Sequence, residues 1–229
     1  MRNVQVGASR TVRIGPWRGI AGVASVSTYL DQPLDRAAVG EIVDRLQAQG
    51  YTKAVTAALT PAEEVTFRAN GFEPLRELVL LRRPLQMPVP RAEHRLRRWR
   101  RRRTDALLDI DAAAFDEFWR LDDLGLREAL NATPHRLLRV AADQPPSGYA
   151  LSGVARDRGY LQRLAVHPRA TGQGLGTSLV LDALRWMRWR GADAAYVNTQ
   201  HDNTRALTLY ERLGFEPEPE GLVILSREL

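Results

Sequence analysis

At 229 residues, with 44% hydrophobic and 26% charged residues, the chain has the make-up of a globular protein and enough material for one large domain or two small ones. The absence of cysteine excludes disulfides, thiolate nucleophiles and Cys-ligated zinc and agrees with a reducing, cytoplasmic setting, and the four scattered histidines (His94, His135, His167, His201) lack metal-ligand spacing, so no metal is expected. A net charge of +6 favours an anionic partner, for which a phosphorylated coenzyme and a nucleic acid are both candidates.

In chain order, the first apolar run, residues 20–30, is too short to cross a bilayer and is interrupted by Ser25, Ser27 and Thr28, so it predicts a strand and no membrane segment. Residues 35–49 carry Val39, Ile42, Val43 and Leu46 at helical spacing. Residues 50–85 read as strand, short helix, a Gly71-Phe72-Glu73-Pro74 turn, and a strand through Leu78 to Leu81. Pro88 and Pro90 mark a linker. Beyond it the pattern predicts a strand at 96–101, helices at 105–118 and 124–131, and strands at 136–142, 149–155 and 160–166. The turn signals Pro145-Pro146-Ser147-Gly148 and Asp157-Arg158-Gly159 separate those strands.

Residues 164–177 read LAVHPRATGQGLGT, an apolar strand end, a His-Pro break, and three glycines (Gly172, Gly174, Gly176) opening a helix that extends to 190. Leu179, Val180, Ala183, Leu184 and Met187 give that helix its apolar face. Glycines let consecutive backbone N–H groups converge on an anion, and the helix adds the positive end of its dipole, so the segment predicts a phosphate cradle. A dinucleotide fold would need an acidic residue about 20 residues on; Asp193 is near that distance, but His167-Pro168-Arg169 before the glycines fits poorly. A nucleotide-hydrolase P-loop fails, because no Gly-Lys-Ser/Thr closes the loop.

A second block, residues 196–215, reads YVNTQHDNTRALTLYERLGF, a strand followed by a short helix ending in Leu-Gly-Phe. Together the two blocks resemble the GNAT superfamily of acetyl-CoA-dependent N-acetyltransferases: strand, V-x-P, R-x-x-G-x-G, long helix, strand, Asn, and A-x-x-x-Y-x-x-x-G-F follow in order. The resemblance is strong from Tyr160 onward and weaker back to Leu96. It implies an α/β fold of the mixed-sheet α+β kind, with a catalytic GNAT acyltransferase domain at 96–229. A linker at 89–95 joins this to residues 1–88, whose Gly71-Phe72-Glu73-Pro74 and Leu78 to Leu81 echo Gly214-Phe215-Glu216-Pro217 and Leu222 to Leu225. In that echo the cradle glycines become Asp31, Pro33 and Asp35, and Tyr210 becomes Phe67, which leaves nothing to hold a pyrophosphate. The first part thus reads as a smaller, degenerate GNAT-like unit, or else as an unrelated α/β domain with a chance Gly-Phe turn.

The resemblance assigns roles. Acetyl-CoA would lie on Leu164, Ala165 and Val166 of the strand, with its pyrophosphate on the amides of Gly172, Gln173, Gly174, Leu175, Gly176 and Thr177 and with Arg169 as charge complement. The Leu164 N–H would face the thioester oxygen, Tyr210 would protonate the leaving thiolate, and Asn203 would cap the last helix and bond the pantetheine. No carboxylate stands where family members often carry a glutamate; Tyr160, Gln162 and Asn198 are there instead, leaving a water chain, His201 or Asp202 to take the amine's proton.

The acceptor would enter near Asp116, Glu117, Trp119, Asp122, Asp123 and Glu128, which read equally as the wet face of two amphipathic helices. Arg95, Arg97, Arg98, Arg100, Arg101, Arg102 and Arg103 flank Trp99 in a run that also admits nucleic acid or an acidic protein as partner. Three functions are therefore open: an N-acetyltransferase acting on a primary amine of a protein, peptide or small molecule, a coenzyme A-binding module with little turnover, and a nucleic-acid-binding protein.

Overall fold

The computed structural model describes residues 2–7, 10–28, 33–100 and 104–229. Its elements in chain order are β1 (Arg2–Val6), β2 (Arg10–Pro16), β3 (Val23–Ser27), α1 (Arg36–Ala48), β4 (Lys53–Thr56), α2 (Pro61–Arg68), β5 (Glu73–Pro84) and β6 (Leu96–Arg98). There follow α3 (Asp105–Ala114), α4 (Asp123–Asn131), β7 (His135–Ala141), β8 (Gly148–Ala155), β9 (Arg158–Val166), a short 3-10 turn (Pro168–Ala170), and α5 (Leu175–Trp189). The chain closes with β10 (Ala194–Gln200), α6 (Thr204–Arg212), β11 (Glu216–Pro217) and β12 (Leu222–Glu228). This is the mixed α/β architecture that the sequence implied. None of the described helices is long and apolar enough to cross a membrane.

The chain divides into two compact units, neither continuous in sequence: Met1–Leu80 with Asn198–Asp202 and Glu218–Leu229, and Leu81–Val197 with Asn203–Pro217. β12 lies in the first unit, antiparallel to both β4 and β5. The echoed segments meet there, Leu222 opposite Leu78.

In the first unit the strands run β1-β2-β3-β4-β12-β5. The β1–β2 pair, which sequence reading leaves unassigned, is antiparallel, and Val4 lies opposite Val12. Its signal is a short Val-x-Val and Val-x-Ile alternation set among arginines. β3 and β4 are parallel, and α1 lies between them in sequence. Val39, Ile42, Val43 and Leu46 of α1 are buried with Val12, Ile14, Val26 and Phe67, which confirms the helical face read from their spacing. Phe67 and Phe72 meet edge to face at 5.2 Å across Gly71, whose φ is 76°.

The second unit orders its strands β10-β9-β8-β7-β6. β7, β8 and β9 form an antiparallel meander, and β10 is parallel to β9. Trp99, Leu107, Ile110, Leu126, Leu138, Val140, Tyr149, Leu151 and Ala165 make one core between the sheet and α3 and α4. On the opposite face Leu175, Leu179, Val180, Leu184 and Met187 of α5 are buried.

Two predicted elements are shorter than expected. The helix foreseen to residue 118 stops at Ala114, because Phe115 is extended and Asp116 starts a separate turn by accepting a hydrogen bond from the Trp119 N–H. The strand foreseen at 96–101 is described only to Arg98, with Arg101, Arg102 and Arg103 outside the described residues. Alternation divides the arginine run: Arg98 lies opposite Arg139, whose side chain pairs with Asp182 of α5, while Arg97 stands over Trp99 at 5.4 Å.

Candidate active site

The site is built where β9 runs into α5. β10 pairs with β9 only from Arg158 to Tyr160, and along the rest of β9 the order of bonds to β8 decides which amides are left over. His167 donates its N–H to the Ser147 carbonyl at 2.8 Å, so in that register Ala165 and Arg163 are the hydrogen-bonded partners of β8. The main-chain groups of Leu164 and Val166 therefore point to the other edge, away from β8. Leu164 carries an N–H directed out of the sheet on the edge that β10 leaves after Tyr160.

Beyond Val166, the His167 ring nitrogen Nδ1 accepts from the Arg169 N–H at 3.2 Å, and the Thr171 hydroxyl donates to the Pro168 carbonyl. These bonds tighten the turn into the glycines. Gly172 and Gly174 have φ of 77° and 81°, values a side chain rarely tolerates, and a Cβ placed on Gly172 would meet nothing within 4 Å. Gly174 is the N-cap of α5 and no side chain caps the first turn, although the His94 ring, bonded to the Ser178 hydroxyl of α5 at 3.0 Å, lies 3.5 Å from where a Gly174 Cβ would stand. Arg169 is exposed and donates to the Pro145 carbonyl at 3.3 Å, and Gln173 donates to the Arg169 carbonyl at 3.1 Å.

Helix α1 of the first unit makes the opposite choice. Asp35 caps α1 with its own carboxylate, which accepts from the Ala38 N–H at 2.9 Å and pairs with Arg10 at 2.8 Å. The Ala38 amide first, and then Arg10, hold that carboxyl below its usual range. An internal anion fills the place that α5 leaves open. Of the other two landmark positions, Pro33 precedes α1, and Asp31 lies outside the described residues.

α6 approaches the cradle: a Cβ on Gly176 would stand 3.5 Å from the Leu209 side chain and 3.8 Å from Val166. Next to Leu209, Tyr210 is 5% exposed and packs against Phe215 at 5.5 Å, repeating the Phe67–Phe72 arrangement with a hydroxyl added. Burial pushes its phenol well above the ordinary tyrosine range. Asn203 caps α6 by accepting from the Ala206 N–H at 3.2 Å. Of the suggested bases, His201 and Asp202 are exposed and belong with the first unit, as does Asn198. Tyr160 and Gln162 are half-buried on β9.

The face of the sheet under α3 and α4 carries a network that sequence reading did not find. Asp111 is fully buried and accepts from Arg163 Nε at 2.7 Å, Arg163 Nη2 at 2.6 Å, the Tyr149 hydroxyl at 2.6 Å and the Leu121 N–H at 2.6 Å. Arg163 also donates to the Trp119 carbonyl at 2.9 Å and lies 3.5 Å over the Phe115 ring. Burial, then the Asp111 charge, drives the Tyr149 phenol well above its usual value. The network ties the turn between α3 and α4 to the residue beside Leu164. An Asp at helical spacing with Leu107 and Ile110 was its one sequence signal.

The acidic residues expected at the acceptor entrance have local duties. Asp116 accepts from the Trp119 N–H, Asp122 caps α4 through the Gly125 N–H at 2.7 Å, and Asp123 accepts from Thr104 and pairs with Arg127. Glu117 is exposed. Among the described residues no group of three His, Cys, Asp or Glu could hold a metal ion.

Beyond Tyr160 the edge of β9 leads into the glycine-opened start of α5, with the buried Tyr210 of α6 in the same unit. Residues 95–215 match the Acetyltransferase (GNAT) family, and the chain belongs to that family. A mycothiol acetyltransferase of Frankia alni is 30% identical over 92% of this chain and 75% of its own length. One from Rhodococcus erythropolis is 31% identical over 62% of this chain. The chain thus spans 54% and 75% of the length of these two relatives. Among solved structures, a tandem GNAT protein from the clavulanic acid biosynthesis pathway is similar in fold, with a TM-score of 0.66 at 15% identity, covering 97% of this chain and 80% of that one.

Proposed function

We propose that the second unit transfers an acetyl group from acetyl-CoA to a primary amine, and that the first unit is a degenerate copy without a coenzyme site. The observation that carries this reading is the contrast between the two helix starts: no side chain caps α5 behind Gly172 and Gly174, whereas the Asp35 carboxylate caps α1. Family membership supports the donor; the relatives' name, mycothiol acetyltransferase, favours a small-molecule acceptor over a protein one.

The residues fit the chemistry. The first-turn amides of α5 hold the pyrophosphate. The outward Leu164 N–H donates to the thioester oxygen as charge develops there, a contact worth about 3 kcal/mol in comparable oxyanion holes. Tyr210, kept protonated by burial, supplies the proton for the departing sulfur. No metal takes part in this scheme.

The test is thiol release from acetyl-CoA with ethanolamine, spermidine, glucosamine and a tripeptide bearing a free α-amino group, beside calorimetric titration with coenzyme A. Coenzyme binding and amine-dependent thiol release are expected together. Absence of coenzyme binding overturns the reading. Binding without release supports the second reading, a coenzyme-binding module, which the amide and phenol at Gln162 and Tyr160 favour over a carboxylate-driven enzyme.

A further inference from the structure

β9 pairs with β8 through a shift of register: Leu151 lies opposite Arg163 and Ser152 opposite Leu161, so Gln162 is the extra residue of a bulge. The bulge sends Gln162 to the same face as its neighbour Arg163, where strict alternation would part them. On that face Gln162 Nε2 donates to the Thr133 hydroxyl at 3.4 Å, and Thr133 spends its own proton on the His135 carbonyl at 2.9 Å. Thr133 can therefore only accept from Gln162, which fixes the amide's orientation with its oxygen turned away. The site also demands glycine opposite: a Cβ on Gly153 would lie 2.2 Å from the Thr133 hydroxyl and 2.9 Å from Gln162 Nε2.

Gln162 Oε1 is buried and accepts no hydrogen bond from any described residue. A buried carbonyl oxygen left in that state is costly, and its retention points to a donor that arrives with a ligand. Gln162 stands two residues before Leu164, so its Cα is within about 7 Å of the amide that faces the thioester. Tyr160, two residues before Gln162, faces Tyr196 with ring centroids 6.1 Å apart, Arg158 lies 5.6 Å over the Tyr196 ring, and burial raises the Tyr160 phenol.

Resting on the acetyltransferase reading above, we infer that Gln162 positions the acceptor, its Oε1 accepting an N–H of the neutral amine and aiming the nitrogen lone pair at the acetyl carbon. The C–N bond forms as the C–S bond breaks, the C–S electron pair stays on sulfur, and sulfur takes a proton from Tyr210. A carboxamide cannot take the amine's proton, which leaves to solvent. Gln162 thus anchors the amine without serving as base.

The test is Gln162→Met, with Gln162→Glu as the variant that keeps an acceptor oxygen. Using the panel amine that gives the fastest thiol release, Gln162→Met is expected to raise KM for the amine about tenfold, the worth of one hydrogen bond, and to leave KM for acetyl-CoA within twofold. Gln162→Glu is expected to keep KM for the amine within about threefold. An unchanged amine KM in Gln162→Met overturns the inference, as does an equal rise in both KM values or an equal loss in the two variants. Thermal melting of the free protein reads the orphan oxygen whatever the panel yields: Gln162→Met is expected to melt at the parent temperature or above, and a fall of several degrees overturns it. Failure of the parent enzyme to bind coenzyme A would instead count against the acetyltransferase reading itself.

Discussion

Asp111→Ala tests whether the buried network under α3 holds the turn between α3 and α4 to β9. The substitution removes a carboxylate that receives four hydrogen bonds of 2.6 to 2.7 Å and leaves the Arg163 guanidinium, with its side chain 12% exposed, without its counter-charge. Breaking a buried ion pair from one side costs about 3–5 kcal/mol, and the stranded Tyr149 hydroxyl and Leu121 N–H add about 1 kcal/mol or more. For a chain of this length about 4 kcal/mol lowers the melting temperature by roughly 8–16 °C. Circular dichroism melts and urea unfolding measure the loss. The double variant Asp111→Leu/Arg163→Met removes both charges and is expected to be more stable than Asp111→Ala, because paired removal escapes the uncompensated charge. A fall below about 4 °C for Asp111→Ala, or a double variant no better than the sum of its singles, would refute the argument. Amide exchange in the turn at Asp116–Arg120 should rise in Asp111→Ala, since Arg163 then loses the partner that aims it at the Trp119 carbonyl.

Gly174→Asp sets a carboxylate at the start of α5 and is expected to weaken coenzyme A binding at least 100-fold by calorimetry while far-ultraviolet dichroism stays unchanged; undiminished affinity would remove the cradle from the site. Tyr210→Phe is expected to lower kcat about 100-fold with KM for acetyl-CoA unchanged, the size of a lost general acid, and near-normal turnover would exclude the phenol from the reaction. The raised phenol values of Tyr210 and Tyr149 have a definite sign: folding favours the neutral form, so their contribution to stability is complete below the ordinary phenol value near 10 and is lost as pH rises beyond it. Turnover of the parent should accordingly hold its alkaline limb to pH 10, whereas an acid with an ordinary phenol pKa would already be half lost there.

The sequence by itself determined the local pieces. Gly172 and Gly174 take positive φ because only glycine does so cheaply, the faces of α1 and α5 follow from helical spacing, and Gly71 and Gly214 each place two aromatic rings five residues apart in contact. The outward direction of the Leu164 amide, by contrast, is set by pairing, since the His167–Ser147 bond fixes the phase in which β9 bonds β8. Tertiary structure alone decided what depends on pairing between distant segments. β12 joins β4 and β5 of the first unit, although it follows the second unit in sequence, because strand partners are chosen by hydrogen-bonding edges and not by proximity along the chain. Asp111 and Arg163 stand 52 residues apart, and nothing near either one announces the other. At Gln162 the bulge breaks the two-residue alternation from which strand faces are read, so Gln162 and Arg163, neighbours in sequence, share one face, and the Gln162 carbonyl oxygen has no donor among the described residues.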